Sequence, residues 1–172
     1  MKIQSNDERD FREVYEQVFP MIFKVSNNIV RNPDRAEELC QEAFTRFYDQ
    51  GKTFPSLNDA KYWLIRVTKN LSINVVKRKG RELKMIEKVK KEPKAKIKTG
   101  EDLMVEDQIC KEVRDAIAQL PEKFRVVITL KTYTDLDYKG IGATLNISES
   151  NVKVRVFRAR KMLEKILNED QE

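Results

Sequence analysis

The chain has 172 residues, enough for one ordinary domain or two small ones, and its 36% charged and 40% hydrophobic residues match a soluble globular protein. No run of about 18 apolar residues, the length that spans a membrane, occurs, and residues 1–10 mix Lys2, Asp7, Glu8, Arg9 and Asp10 with no apolar core, so no membrane insertion is expected and the chain reads as cytoplasmic. It lacks histidine altogether, the usual general base and the commonest transition-metal ligand, and this lowers the expectation of an enzyme.

In chain order, Phe11, Val14, Tyr15, Val18, Phe19, Ile22 and Phe23 recur at steps of three and four, a single helical stripe that Pro20 should bend. Asn32-Pro33-Asp34 reads as a new helix start, with a capping side chain, a preorganised first turn and an acid near the positive end of the dipole. That second helix turns Ala36, Leu39, Ala43, Phe44 and Phe47 inward. Its Glu37, Glu38 and Glu42 suggest ordinary helix surface or a partner contact; no histidine or second acidic motif completes a coordination shell, so neither metal nor cofactor is expected. Residues 51–59, with Gly51, Pro55 and Ser56, form a loop. The third helix has an inner stripe of Ala60, Leu64, Val67, Leu71 and Val75, and three such helices can make one bundle.

Opposite that stripe, Trp63, Arg66, Asn70, Asn74 and Lys77 share one polar face. An aromatic to stack on an unpaired base, amides for its edges and cations for the backbone suit single-stranded DNA; a lone Trp at helical spacing equally suits a core residue. Cys40 and Cys110 sit among helical apolar positions, as reduced buried thiols do.

From position 77 to 100 eleven Lys or Arg face three Glu, a surplus of +8 against +6 for the whole chain. With Gly80, Pro93 and Gly100 this stretch reads as a basic, partly helical linker. Beyond it, Val105, Ile109, Val113, Ile117 and Leu120 make another stripe, closed by Pro121, and a short helix comes next, around 124–133. Residues 136–145, Asn146-Ile147 and Ser148 onward have the layout of helix, tight turn, helix, because Asn tolerates the left-handed conformation and Ser148 can cap the final helix. That last helix packs through Val152, Val156, Ala159, Leu163 and Ile166 and shows Lys153, Arg155, Phe157, Arg158, Arg160 and Lys161 outward, a cation density suited to a DNA groove. The fold class expected is all-α: two small helical domains joined by a basic linker, the second with a helix-turn-helix, and no β-sheet.

Taken together, Asn32-Pro33-Asp34 followed by AEELCQEAFTRFY, then YWLIRVTKNLSIN, LPEKFRVVITLKTY and LNISESNVKVRVFRARKML resemble the extracytoplasmic-function sigma factors of bacterial RNA polymerase. The resemblance implies a region 2 domain at 8–80, a linker at 81–104 and a region 4 helix-turn-helix domain at 105–168. It implies that Glu37, Glu38, Gln41 and Glu42 meet the clamp helices of the largest subunit of core polymerase, with the flap as a further contact. Phe54, Trp63, Arg66, Asn70, Asn74 and Lys77 would read and melt the minus-ten element of promoter DNA. Ser150, Lys153, Val154, Arg155, Phe157, Arg158 and Arg160 would face the minus-thirty-five element. An anti-sigma factor would be a further partner.

The chain departs from the family pattern at two places. Gly140-Ile141-Gly142 replaces the family's Glu-Ile-Ala, and at roughly 1 kcal/mol per interior glycine a frayed or displaced helix is expected. Ser150-Asn151 replaces the usual Gly-Thr. A free-standing helix-turn-helix regulator would explain the C-terminal half but not the Trp63 face, and a recombinase-like enzyme would need catalytic carboxylates or a nucleophile that the sequence does not assemble.

Overall fold

The computed structural model describes residues 2–87 and 108–169. A short strand β1 (Ile3–Gln4) leads into α1 (Glu8–Val30) and α2 (Pro33–Asp49); β2 (Thr53–Phe54) and α3 (Leu57–Glu87) complete the first bundle. The second contains α4 (Gln108–Gln119), α5 (Glu122–Tyr133), α6 (Tyr138–Leu145) and α7 (Glu149–Glu169).

Local chemistry sets the helix ends. The Asp7 carboxylate accepts from the Arg9 and Asp10 amides to open α1, and Arg31, at φ 59°, closes it in the left-handed conformation. Asn32 accepts from the Arg35 amide at 2.7 Å, as the sequence predicts, with Pro33 at the first turn. Helix α1 continues through Pro20. The antiparallel pairing of Ile3 with Phe54 and Gln4 with Thr53 corrects the expectation of no sheet. Each strand is two residues long, and Ser5 extends the pairing by donating to the Lys52 carbonyl at 2.9 Å.

The first bundle is organised around aromatic rings. Phe47 is fully buried, with its ring 5.2 Å from Phe54, 5.9 Å from Trp63 and 6.4 Å from both Phe11 and Phe44. Cys40 lies in the same interior; burial, with Glu37 nearby, pushes its thiol up to about 12, so it stays protonated and unreactive.

The inward face of α3 is rotated from the expected stripe. Leu64, Ile65, Thr68 and Ser72 are buried, whereas Val67, Leu71 and Val75 are half-buried. Ser72 takes part in a polar contact inside the bundle: the Ser26 and Ser72 hydroxyls are 2.9 Å apart, and two small side chains let α1 and α3 approach where bulky ones would not. In the second bundle Ile117 and Leu120 are buried, but Val113 is 38% exposed. Val105 lies outside the described residues, as do the side chains of Ile109 and Cys110.

One continuous apolar core runs through both bundles, because α5 packs against α1 as well as α7. Its Phe124, Val126, Val127, Ile128, Thr129 and Leu130 are all buried, the pattern of a helix with neighbours on more than one side. Two polar contacts flank this junction. Arg31 donates to the Ala118 carbonyl at 3.3 Å, and Lys61 pairs with Asp135 at 2.6 Å. The Lys61 hydrogen bond holds the Asp135 carboxyl below its ordinary range.

Candidate nucleic-acid interface

Helix α3 presents Arg66, Asn70, Asn74 and Lys77 to solvent on the side away from the core, so the polar face assembles as its spacing implies. Trp63 sits at the inner edge of that face, half-buried, 5.9 Å from Phe47 and 6.2 Å from Phe54. Trp63 thus packs on the core and keeps an outward edge. Phe54 is buried, at 8% exposure; in this conformation its ring turns into the cluster and supports Trp63.

Lys69, which the sequence pattern did not single out, completes the face from beneath. It is buried, and its ammonium donates to Asn70 Oδ1 at 2.6 Å. A lysine can only donate, so the contact fixes the Asn70 amide with its oxygen inward and leaves Nδ2 to donate to another group. Burial first, then the charges of Arg66 and Lys77, lower the Lys69 pKa. Three cations that repel one another mark a place where an anion is favourable. Its adjacency to Asn70 in sequence was the available signal.

In the second bundle the turn forms as expected. The Asp137 carboxylate accepts from the Gly140 amide at 2.6 Å to start α6, Asn146 ends it at φ 56°, and Ser148 Oγ accepts from the Asn151 amide at 3.2 Å to start α7. The expected fraying of α6 does not occur, since the helix spans Tyr138–Leu145 unbroken. Gly142 explains it: a Cβ there would lie 2.7 Å from the Ile147 carbonyl oxygen, so the missing side chain lets α6 close tightly on the turn. That packing offsets the propensity cost.

Along α7, Val152, Val156 and Ala159 are buried and Ser150, Lys153, Val154, Phe157, Arg158 and Arg160 are exposed. Lys153 pairs with Glu149 at 2.7 Å, and this contact raises its pKa; its ammonium also lies 5.9 Å from the Tyr138 ring. Arg155 is half-buried, with Nε donating to Asn151 Oδ1 at 3.0 Å. Arg155 is therefore set back from the outer surface, while Arg158 and Arg160 project from it.

On α2, Glu37, Glu38, Gln41 and Glu42 are all exposed. Glu38 pairs with Arg35, Glu42 pairs with Arg46 at 2.7 Å, and Gln41 donates to Glu37 at 3.3 Å. Among the described residues no helix is long and apolar enough to cross a membrane.

The Sigma-70 region 2 family model matches residues 14–82 and the Sigma-70 region 4 model residues 110–163. Among curated proteins, the extracytoplasmic-function (ECF) RNA polymerase sigma factor SigW of Bacillus subtilis is 27% identical, covering 98% of this chain and 94% of its own length. The RNA polymerase sigma-H factor of Pseudomonas aeruginosa is 26% identical, covering 96% and 90%. By structure, the sigma factor RpoE of Bartonella quintana, solved with the anti-sigma factor NepR, superposes with a TM-score of 0.73 at 22% identity, covering 93% of this chain and 98% of that one. CnrH, solved with the cytosolic domain of CnrY, gives 0.68 at 17%, covering 96% and 92%; both structural likenesses are of fold. The chain belongs to the extracytoplasmic-function group of RNA polymerase sigma factors. It acts in transcription initiation as a DNA-binding subunit of RNA polymerase, and a free-standing regulator, which would leave the region 2 match unexplained, is not favoured.

Proposed function

We propose that the two exposed helix faces divide promoter recognition between them. Trp63, Arg66, Asn70, Asn74 and Lys77, supported by Phe54 and Lys69, take up the minus-ten element as its strands part; Ser150, Lys153, Val154, Phe157, Arg158 and Arg160 meet the minus-thirty-five element as intact duplex, with Arg155 behind them. Residues 8–80 and 105–168 form the two DNA-facing domains, and the basic stretch at 81–104, of which 81–87 continue α3 and the remainder lies outside the described residues, tethers them along the phosphates. The chain catalyses nothing itself: core polymerase performs the phosphodiester chemistry, in the cytoplasm, while the α2 surface of Glu37, Glu38, Gln41 and Glu42 docks on the clamp helices and the second domain on the flap. The relatives of similar fold solved with NepR and with CnrY support an anti-sigma partner here too.

The observation that carries this reading is the presence, in one chain, of a solvent-facing amide and cation row on α3 and a cation-rich outer face on α7. Run-off transcription with purified core on a genomic fragment library tests it. Transcripts sharing an upstream sequence are expected, and tight sequence-specific duplex binding without core would favour a free-standing regulator. Charge reversal at Glu38 or Glu42 should weaken capture of core by about tenfold, roughly 1.4 kcal/mol of lost charge complementarity. Both side chains are exposed, so circular dichroism should not change; undiminished capture would remove α2 from the core-binding surface.

A further inference from the structure

The outer face of α7 is not uniformly cationic. Measured from the buried side, Val152, Val156 and Ala159, the line directly opposite runs through Ser150, Val154, Phe157 and Lys161 at steps of four, three and four. Its centre is therefore apolar, with Val154 at 46% and Phe157 at 62% exposure. Cations stand on both sides, Lys153 and Arg160 on one and Arg158 on the other. Neither apolar side chain serves the core of the bundle. The Lys161 ammonium lies 5.7 Å from the Phe157 ring, a contact that leaves the ring at the surface.

A helix that enters a major groove sets its flanking cations against the phosphates and its centre line against base edges. Of the four bases only thymine offers a methyl group there, and an apolar side chain is what recognises it. The geometry points to Phe157 and Val154 as readers of thymine methyl groups in the minus-thirty-five duplex. This inference rests on the assignment of α7 to that duplex and adds the chemical feature it selects.

The experiment uses the full chain on core polymerase with a promoter recovered by run-off transcription. Its minus-thirty-five region is made with thymine or with uracil, which differ only by the methyl groups. Closed-complex affinity of the parent should fall about fourfold for each contacted methyl removed, the ratio that burying one such group corresponds to. Phe157→Ala should lose most of this discrimination and bind the thymine DNA about as the parent binds the uracil DNA, with unchanged circular dichroism. Equal affinity of the parent for both DNAs overturns the methyl contact. If Arg158→Ala still weakens binding in that case, α7 lies in the groove and only the thymine assignment falls. If Arg158→Ala has no effect either, the groove assignment falls with it, and the exposed Phe157 belongs to a protein contact.

Discussion

Phe47→Ala is expected to destabilise the first bundle severely, lowering its melting midpoint by roughly ten degrees or more. The ring is fully buried and stands among Phe11, Phe44, Phe54 and Trp63, so truncation loses its burial and leaves a cavity in a rigid aromatic cluster. Such a change costs about 3–5 kcal/mol, against a total stability of about 5–15 kcal/mol for a typical domain. Thermal melting followed by circular dichroism measures it, with Phe47→Leu as the milder comparison. A midpoint within a few degrees of the parent for the Ala variant would mean that the cluster does not hold the bundle together.

The second large effect separates the two DNA faces by the step each serves. With core bound, Arg158→Ala should weaken closed promoter binding by about 1.5–3 kcal/mol, the range for a hydrogen bond to a charged group such as a phosphate. Lys153→Ala should do less, because that ammonium already pairs with Glu149. Asn70→Ala should leave closed binding nearly intact and reduce open complex about tenfold, because the bases it is proposed to meet are accessible only after the strands part, where removing one hydrogen-bond partner costs roughly 1–3 kcal/mol. Permanganate reactivity of unpaired thymines, beside gel-shift affinity, reads both steps. A template with a preformed bubble should rescue Asn70→Ala and not Arg158→Ala. Trp63→Ala should show a mixed result, a lower melting temperature as well as less open complex, because its ring also packs on Phe47 and Phe54. If Asn70→Ala opens duplex as well as the parent, α3 does not hold the melted strand.

Local features were the ones legible in the sequence. Helix starts and stops at Asn32, Asn146 and Ser148 depend on one side chain and the few amides beside it, and these positions behave as their residue types require. The cationic face of α7 was legible for the same reason, since helical spacing alone separates it from Val152, Val156 and Ala159. Non-local features were not. The β1–β2 pairing joins positions about fifty apart through two residues on each side, too few for an alternation to register. The inward face of α3 includes Ser72, buried against the Ser26 hydroxyl, and an apolar pattern counts both serines as surface. The integrity of α6 depends on what Gly142 approaches, and propensity alone counts that glycine only as a loss. Phe54 and Trp63 divide between core and surface according to how the aromatic cluster closes, which no spacing specifies.

The junction between the bundles rests mainly on α5 against α1, and the Lys61–Asp135 ion pair beside it leaves the Asp side chain 63% exposed. Ionic strength therefore acts differently on what the chain holds and on how the chain holds itself. Added salt screens charges and withdraws the counterion-release gain of phosphate binding, while excluded salts such as sulfate strengthen apolar burial. In a sulfate titration promoter affinity should fall steeply while the radius of gyration of the free chain, from small-angle scattering, stays constant. Expansion at the concentration where DNA is lost would mean that charge, rather than the apolar flank of α5, keeps the two halves together.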